Sequence, residues 1–318
     1  MIESKGIFFA LLTMTSWSIC IFPFTQAARR LGSNTLNHLR LLLAIVFLSA
    51  ANLVMNREVF MQIFSSSYSY SWLWLGLSGI VGLTIGDFFA FRMYAILSPR
   101  IGSVLTTLSP AAALVAGFIL LGETINGIGI VGMIITMIGV MSISLGRKER
   151  DAIPDHGHGS IVAGIIFGIL SAICQGVGLV LSKKGMMHNE VLVAPLPATF
   201  MRITSGFVTL LIFTIAQGKI RSVVAPITKN QNDGIKYAVM GTIFGPFLGV
   251  CLSLYTISNI DVSVGQTIFS LMPVGAMIIA VLFFKEKITF QSLLGVVVAI
   301  SGVVILIWRT RLNEIIFH

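Results

Sequence analysis

One aspartate, Asp87, lies well inside a long apolar stretch of the chain. Moving a charged carboxylate to the centre of a bilayer costs at least about 2.5 kcal/mol, so such a group must be paired, protonated or hydrated. One interpretation of Asp87 is a proton-binding site or a contact for a ligand's ammonium group. The other is a buried ion pair with Arg40 or Arg92. The sequence leaves both interpretations open.

Two arginines lie about one turn inside apolar stretches, Arg40 and Arg202. A guanidinium group stays charged and could therefore attract a carboxylate or a phosphate. Alternatively, each side chain extends to the membrane interface or forms a structural pair. Four further residues are candidates for orienting a small polar ligand, although each would also fit a packed or interfacial position: Trp17, Tyr94, Gln175 and Tyr255.

Polar residues recur at helical spacing in two apolar stretches. Residues at i, i+3, i+4 and i+7 share one helix face, and four residues have this spacing in each stretch: Ser103, Thr106, Thr107 and Pro110 in the first, and Gln266, Phe269, Ser270 and Pro273 in the second. A polar face on a helix in lipid should point at other helices or at a wet cavity. Because the pattern occurs twice, we predict that it lines a cavity, with hydrogen bonding between helices as the alternative.

Motifs for enzyme chemistry are weak. Residues 127–132 fit G-x-G-x-x-G, but they lie in an apolar stretch with no preceding strand, which argues against a dinucleotide site. Ser78 lies in a G-x-S-G sequence, but an intramembrane serine protease also needs a histidine on a facing helix. The five histidines lie in predicted loops, span edges or tails. The sequence therefore implies no catalytic group, no cofactor and no metal.

The composition indicates a protein embedded in a lipid bilayer. Of the 318 residues, 56% are hydrophobic and 10% are charged, and the mean hydropathy is +0.95. A soluble domain has about 25% charged residues. The net charge of +9 comes from lysines and arginines scattered in short loops and at segment ends. There they meet lipid headgroups, so nucleic acid is not an expected partner.

Ten apolar segments are each long enough to cross the roughly 30 Å hydrocarbon core as a helix. Helices are expected because a spanning segment must satisfy its own backbone hydrogen bonds, and the runs lack the alternation of a β-barrel. The predicted spans are 6–28, 36–55, 72–97, 102–121, 125–145, 160–181, 199–217, 237–257, 262–284 and 290–308. The chain is thus predicted to be an all-α, multi-pass integral membrane protein.

The second five segments repeat the first five. A shift of 163 residues aligns five pairs: Gly102 with Gly265, Pro110 with Pro273, Glu123 with Glu286, Gly132 with Gly295, and Gly139 with Gly302. Since five crossings are an odd number, the second copy enters the membrane from the opposite face. Inverted five-helix repeats of this kind are typical of alternating-access transporters. The segment aligned with Asp87 has Pro246 in that place, so the carboxylate has no symmetric copy.

The fifth and tenth spans carry glycines seven residues apart on one face. This pattern predicts close packing against neighbouring helices, with no role in lining a pore. We expect the first, third, fourth, sixth, eighth and ninth spans to line the cavity. Glu123 and Glu286 end their helices and are expected to be solvated structural residues.

The chain resembles the drug/metabolite transporter superfamily, in particular its EamA-like ten-helix members. The resemblance rests on a tryptophan in the first span, an arginine early in the second and seventh spans, and a glutamate at the end of the fourth and ninth spans. These residues are Trp17, Arg40, Arg202, Gly122-Glu123 and Lys285-Glu286. The second half departs from the pattern, with Ser171 in place of the tryptophan. The resemblance implies a repeat at 1–146, a polar linker at 147–159 and a second repeat at 160–318. It also implies export of amino acids, other metabolites or drugs.

Together these features predict a secondary transporter of the cell's inner membrane. We expect an exporter of small metabolites, such as amino acids or related compounds, that works by alternating access, with protons as the candidate coupling ion. The alternatives are an intramembrane enzyme, for which Asp87 is the only candidate catalytic group in the spans, and a membrane sensor that transports nothing. The substrate and the oligomeric state stay open.

The sidedness of the protein also stays open. The predicted topology puts seven cations on the side of the termini: Lys5, Arg57, Lys183, Lys184, Arg202, Arg309 and Arg311. The opposite side has fourteen: Arg29, Arg30, Arg40, Arg92, Arg100, Arg147, Lys148, Arg150, Lys219, Arg221, Lys229, Lys236, Lys285 and Lys287. The positive-inside rule then predicts external termini, whereas the resemblance suggests cytoplasmic ones.

Overall fold

The computed structural model describes residues 2–97, 99–146, 160–188, 191–229, 233–285 and 289–317. Nearly all of these residues are helical. In the described part of the chain, β-structure is limited to β1 (Met187–His188) paired antiparallel with β2 (Val191–Leu192). The predicted linker 147–159 lies outside the described residues, so the domain boundaries stay a prediction.

The helices of the first half are α1 (Ile2–Leu31), α2 (Ser33–Gln62), α3 (Ser69–Ser78), α4 (Asp87–Ile96), α5 (Pro99–Thr106), α6 (Ser109–Leu121) and α7 (Gly127–Gly146). Those of the second half are α8 (Ile161–Met186), α9 (Pro195–Ala216), α10 (Ile220–Lys229), α11 (Gly234–Thr242), α12 (Val250–Ile257), α13 (Val262–Phe269), α14 (Met272–Phe284), α15 (Phe290–Ile307) and α16 (Arg309–Phe317). A short 3₁₀ turn, Ser66–Tyr68, precedes α3.

The predicted spans are confirmed. Nine helical segments among the described residues are long and apolar enough to cross a membrane, and Gly127–Ile143, inside α7, is apolar but shorter. Several of these spans consist of two helices in series, such as α5 with α6 and α13 with α14. The protein is an all-α integral membrane protein whose ten helical spans form two inverted five-helix repeats.

The two halves share their departures from regular helix. A π-helical segment, Gly79–Gly86, joins α3 to α4, and a second, Ile243–Gly249, joins α11 to α12. Such wide turns are rare in proteins, and those that occur are often found at functional sites. Because Asp87 and Val250 each follow directly after a π segment, Val250 is the equivalent of Asp87, and the alignment with Pro246 was wrong. The conclusion that the carboxylate has no symmetric copy stands.

The fourth and ninth spans are broken at matching depths. The break between α5 and α6 precedes Pro110, and that between α13 and α14 precedes Pro273. Each proline lies in the first turn of the second helix, where its missing N–H would have no helical partner in any case. Both spans also end alike, with a left-handed residue at Gly122 (φ 69°) and at Lys285 (φ 54°).

The fifth and tenth spans, α7 and α15, pack directly against each other, as the glycine pattern predicted. A Cβ atom placed on Gly132 would lie 2.8 Å from the Gly302 carbonyl oxygen, and one on Gly295 would lie 2.9 Å from the Gly139 oxygen. A Cβ on Gly139 would meet Ala299 Cα at 2.6 Å. Only glycine allows the two backbones to approach this closely, so this interface ties the two repeats together.

Besides the 3₁₀ turn and the two π segments, three described elements were not predicted from the sequence: the β1–β2 pair, α10 and α16. All three lie between or after spans, where apolar periodicity carries little information. Helix α10 follows the seventh span after a left-handed glycine, Gly218 (φ 67°); it buries Val223 and partly buries Ile227, while Ile220 and Val224 are exposed.

Candidate functional site

A cavity of about 210 Å³ lies between the two repeats. Both broken spans contribute to its wall, together with α1, α4, α7, α8, α9, α12 and the first π segment. The lining residues are Trp17, Leu83, Tyr94, Thr106, Thr107, Ser109, Pro110, Val140, Gln175, Leu179, Arg202, Val250, Gln266, Phe269, Ser270, Met272 and Pro273. Seven of the predicted site residues thus surround one space: Trp17, Tyr94, Thr107, Gln175, Arg202, Gln266 and Ser270.

The two helix breaks present hydroxyl groups to this cavity. Thr107 Oγ1 donates to the Val104 carbonyl oxygen at 2.7 Å, and Ser270 Oγ donates to the Thr267 oxygen at 2.6 Å. The Val104 oxygen also accepts a hydrogen bond from the Thr107 backbone N–H, so the Thr107 hydroxyl adds a second bond to the same carbonyl at the break. A hydroxyl that donates to its own backbone can still accept a hydrogen bond from a ligand through its oxygen.

Arg202 is a buried cation in the cavity wall. The residue is 4% exposed, and its Nε has no hydrogen-bond partner among the described residues. Its guanidinium lies beside Gly82, since a Cβ there would be 3.0 Å from Nη2. The ion pairs found in the described part of the chain do not involve Arg202. The Asp87 carboxylate is close enough to act on this cation electrostatically, but no ion pair joins the two among the described residues, so the guanidinium keeps donors for an anionic group.

Aromatic rings form the apolar part of the wall. Trp17 meets Phe269 edge to face, with ring centroids 5.2 Å apart. Tyr94 lines another part of the same cavity and packs against Gly102, where a Cβ would lie 2.8 Å from Tyr94 Cδ1 and closer still to Cε1. The cavity therefore offers apolar surface beside the Arg202 charge.

Asp87 belongs to a polar chain that ends at the cavity. Arg40 Nη2 forms a short hydrogen bond and ion pair with Asp87 Oδ2, and Arg40 Nε donates to Asn37 Oδ1 at 2.9 Å. Gln175, which lines the cavity, donates through Nε2 to Asp87 Oδ1 at 3.3 Å and to the Gly82 oxygen at 3.2 Å. Asp87 thus links α2 to α8, and its partner is Arg40. Arg92, the other candidate partner, lies over the Phe88 ring instead.

Three predicted site residues are not brought to the cavity wall by the described contacts. Arg40 and Asp87 reach it only through Gln175. Tyr255 stacks on Phe9, with centroids 5.2 Å apart, and does not line the cavity. The side chain of Ser103 lies outside the described residues.

The polar contacts on the side of the termini differ from the prediction. Glu123 was expected to be solvated, but its side chain is 8% exposed and forms an ion pair with Lys183 at 2.7 Å. Glu123 Oε2 also accepts a hydrogen bond from the Val262 backbone N–H, and Lys183 donates to the Ile260 oxygen. The expectation was wrong because the α12–α13 connection of the second repeat folds over the end of α6. Glu286 lies outside the described residues.

Sequence reasoning missed several apolar residues of the wall. Leu179 follows Gln175 by one turn, so the helical period could have identified it. Leu83 and Val250 lie in or next to the π segments, whose turns rotate side chains away from regular helical positions. Val140 corrects the prediction that the fifth span would only pack, because it lines the cavity from the face of α7 next to Gly139. The six spans expected to line the cavity all contribute, and the fifth and seventh join them.

Ser78, the serine of the protease-like sequence, forms hydrogen bonds between two packed helices. Its hydroxyl donates to the Gly178 oxygen at 2.5 Å and pairs with the Ser182 hydroxyl at 2.6 Å. These contacts hold α3 against α8, and none of the hydrogen bonds described for Ser78 comes from a histidine.

The fold and the cavity define a membrane protein built of two helical repeats around a shared, partly polar cavity. The model of the EamA-like transporter family matches residues 4–145 and 162–308, one match for each repeat. The chain belongs to this family. It is therefore a multi-pass integral membrane transporter of small molecules, as the resemblance in the sequence predicted.

Individual relatives agree with this assignment. The chain is 27% identical over 232 residues to a protein named as an uncharacterized transporter of Clostridium kluyveri, covering 73% of this chain and 71% of the relative. It is 22% identical over 209 residues to the uncharacterized transporter YetK of Bacillus subtilis, covering 65% and 59%. A solved crystal structure superposes with a TM-score of 0.74 at 16% identity, over 98% of this chain and 99% of that one, which shows a shared fold.

Proposed function

We propose that the protein is a secondary transporter of the cell's inner membrane that exports a small metabolite by alternating access. The main supporting observation is that equivalent residues on the broken fourth and ninth spans, such as Thr107 and Ser270, face one cavity. Binding sites of repeat-built transporters lie at the repeat interface, near interrupted helices.

Two polar layers support alternating access. The Glu123–Lys183 pair and its contacts to Ile260 and Val262 lie on the side of the termini. The Arg40–Asp87–Gln175 chain lies between the cavity and the opposite side. The first layer joins α8 to the end of α6 and to the α12–α13 connection, and the second joins α8 to α2 and α4, so breaking one while keeping the other would open the cavity to one side at a time.

The cavity chemistry favours an amino acid or a related carboxylate as the substrate. Arg202 offers a buried cation for a carboxylate, and Gln175, Gln266 and Ser270 offer hydrogen bonds. Trp17 and Phe269 offer apolar surface for a side chain. A volume of about 210 Å³ restricts the substrate to a small molecule.

Counterflow in proteoliposomes tests the proposal. Liposomes loaded with one unlabelled amino acid at a time should take up the same labelled amino acid transiently, and at least one amino acid should show saturable exchange. Ser270→Phe, which fills the cavity, should abolish this exchange. Ser301→Phe is the matched control, because Ser301 is exposed on α15 away from the cavity. Ligand-dependent stabilisation without counterflow would contradict transport and support a sensor.

A further inference from the structure

A second and larger cavity, of about 420 Å³, lies between α2, α4, α9 and the first π segment. It lies at the ends of these helices on the side opposite the termini. Its wall includes Asn34, Gln217, Arg92 and Lys219 at the mouth and Phe88 and Phe213 deeper in. Neither the transport cavity nor the Asp87 chain uses these six residues.

The crevice changes from apolar to polar along α4 and along the end of α9, in the same direction. On α4, Phe88 is followed one turn later by Arg92, and on α9, Phe213 is followed one turn later by Gln217. Four residues rise about 6 Å along a helix. In both helices the aromatic residue lies on the side of the membrane interior and the polar residue lies toward the interface. A phospholipid has the same sequence of layers, with acyl chains below a phosphate.

The deeper part of the crevice is built for contact with acyl chains. Phe88 and Phe213 meet edge to face across α4 and α9, with centroids 6.3 Å apart, and both rings are exposed over 40% or more of their surface. Two exposed rings in a concave wall provide a continuous apolar surface. In a membrane this surface faces lipid.

The mouth of the crevice is positively charged. The Arg92 guanidinium lies 5.4 Å from the centroid of the Phe88 ring, so it is held directly above the apolar part. Lys219 follows the end of α9 on the other wall, and none of the lining residues is acidic. Asp87, the nearest carboxylate along α4, is engaged by Arg40 and Gln175 on another face of the helix. The charge therefore complements an anionic headgroup.

We propose that this crevice binds one anionic phospholipid. The headgroup phosphate lies between Arg92 and Lys219, with Asn34 and Gln217 as hydrogen-bond donors, and an acyl chain lies against Phe88 and Phe213. The proposal does not depend on which solute the protein transports. It gives a reason for the concentration of cations on this side of the chain.

Thermal unfolding of the detergent-purified protein with added lipid tests the proposal. Phosphatidylglycerol should raise the melting temperature, while phosphatidylcholine, which has the same chains and no net charge, should not. In the double variant Arg92→Gln/Lys219→Gln, the lipid concentration that gives half of the shift should rise about 30-fold, from the loss of two cations at a lipid surface. Arg29→Gln/Lys236→Gln removes two exposed cations of the same side outside the crevice, and it should respond like the wild type.

Two outcomes would overturn the proposal. Equal stabilisation by phosphatidylcholine would show that charge is not recognised, and equal responses of the two double variants would place binding elsewhere. Inorganic phosphate and glycerol 3-phosphate are added separately, since an effect as large as that of the lipid would mean an anion site without a lipid. Native mass spectrometry of the wild type in mixed lipid is independent of any variant, and it should retain phosphatidylglycerol over phosphatidylcholine.

Discussion

Arg40 on α2 and Asp87 on α4 form an ion pair, and the second oxygen of the carboxylate accepts a hydrogen bond from Gln175 on α8. One carboxylate therefore joins three spans and touches a residue of the central cavity. The ion pair with Arg40, one of the two interpretations that the sequence left open, is observed, and a proton-binding role for Asp87 stays a prediction.

Asp87→Asn tests whether this carboxylate couples transport to protons. The variant keeps the shape of Asp87 but cannot titrate, and its amide oxygen can accept only one of the two hydrogen bonds that the carboxylate accepts from Arg40 and Gln175. We expect it to fold and exchange substrate, yet to lose accumulation driven by a pH gradient. The charged groups around it are Arg40 and Arg202. Transport across a pH series is measured beside a melting curve.

Arg40→Gln is the companion variant for that experiment. It breaks the same ion pair but leaves the carboxyl group, so some pH dependence of accumulation should remain. Wild-type pH dependence in a folded Asp87→Asn protein would exclude Asp87 as the coupling group and leave it a structural role.

Arg202→Gln tests the anchor for a carboxylate substrate. A charged hydrogen bond contributes about 1.5–3 kcal/mol, so affinity for the substrate should fall roughly 10- to 150-fold. The amide analogue of the substrate should bind the wild type weakly and lose little in the variant. Isothermal calorimetry measures the affinity of the wild type and the variant for both ligands. An equal loss of affinity for the acid and the amide would contradict a carboxylate contact.

Gly139→Leu and Gly302→Leu should each destabilise the interface of α7 and α15. A Cβ at Gly302 would lie 2.7 Å from the Gly132 oxygen, so the backbones must separate. Overpacking of this kind costs about 1–3 kcal/mol or more. Gly127→Leu on α7, the helix of Gly139, is the matched control, since no atom lies within 4 Å of a Cβ there. Equal melting temperatures for the three variants would refute close packing as the reason for these glycines.

Lys183→Met should destabilise the protein by about 3–5 kcal/mol, because it leaves the buried Glu123 carboxylate without its cation. The double variant Glu123→Gln/Lys183→Met should recover part of this loss, since it removes the unpaired charge as well. Lys5→Met, at an exposed position on the same side, serves as the control. Chemical or thermal unfolding measures these three and the single variant Glu123→Gln, and additive losses of the two single variants in the double variant would show that the two side chains do not interact.

The charge count predicts that the termini are external. A reporter that is active only in the cytoplasm, fused after His318, should therefore be inactive, while the same reporter inserted in the loop 147–159 should be active. The opposite result would show that the family's expected orientation applies and that loop charges do not set the sidedness.

The sequence by itself determined the spans, the repeat and the family. A segment in lipid must satisfy its own backbone, so about 20 apolar residues already specify a helix, and the shift of 163 residues specifies the symmetry. The spacing of Gly139 and Gly302 likewise predicted a close interface, because small residues on one helix face have few other uses in a membrane.

Only the tertiary structure decided which residues meet. The partner of Asp87, the burial of Glu123, the stacking of Tyr255 on Phe9 and the place of Val140 in the cavity wall all depend on contacts between segments far apart in sequence. Helical periodicity cannot give these contacts, since it fixes the faces of one helix but not the rotation between helices. The π segments make such prediction harder still, because their wider turns rotate the side chains of α4 and α12 away from the positions that a regular helical period predicts.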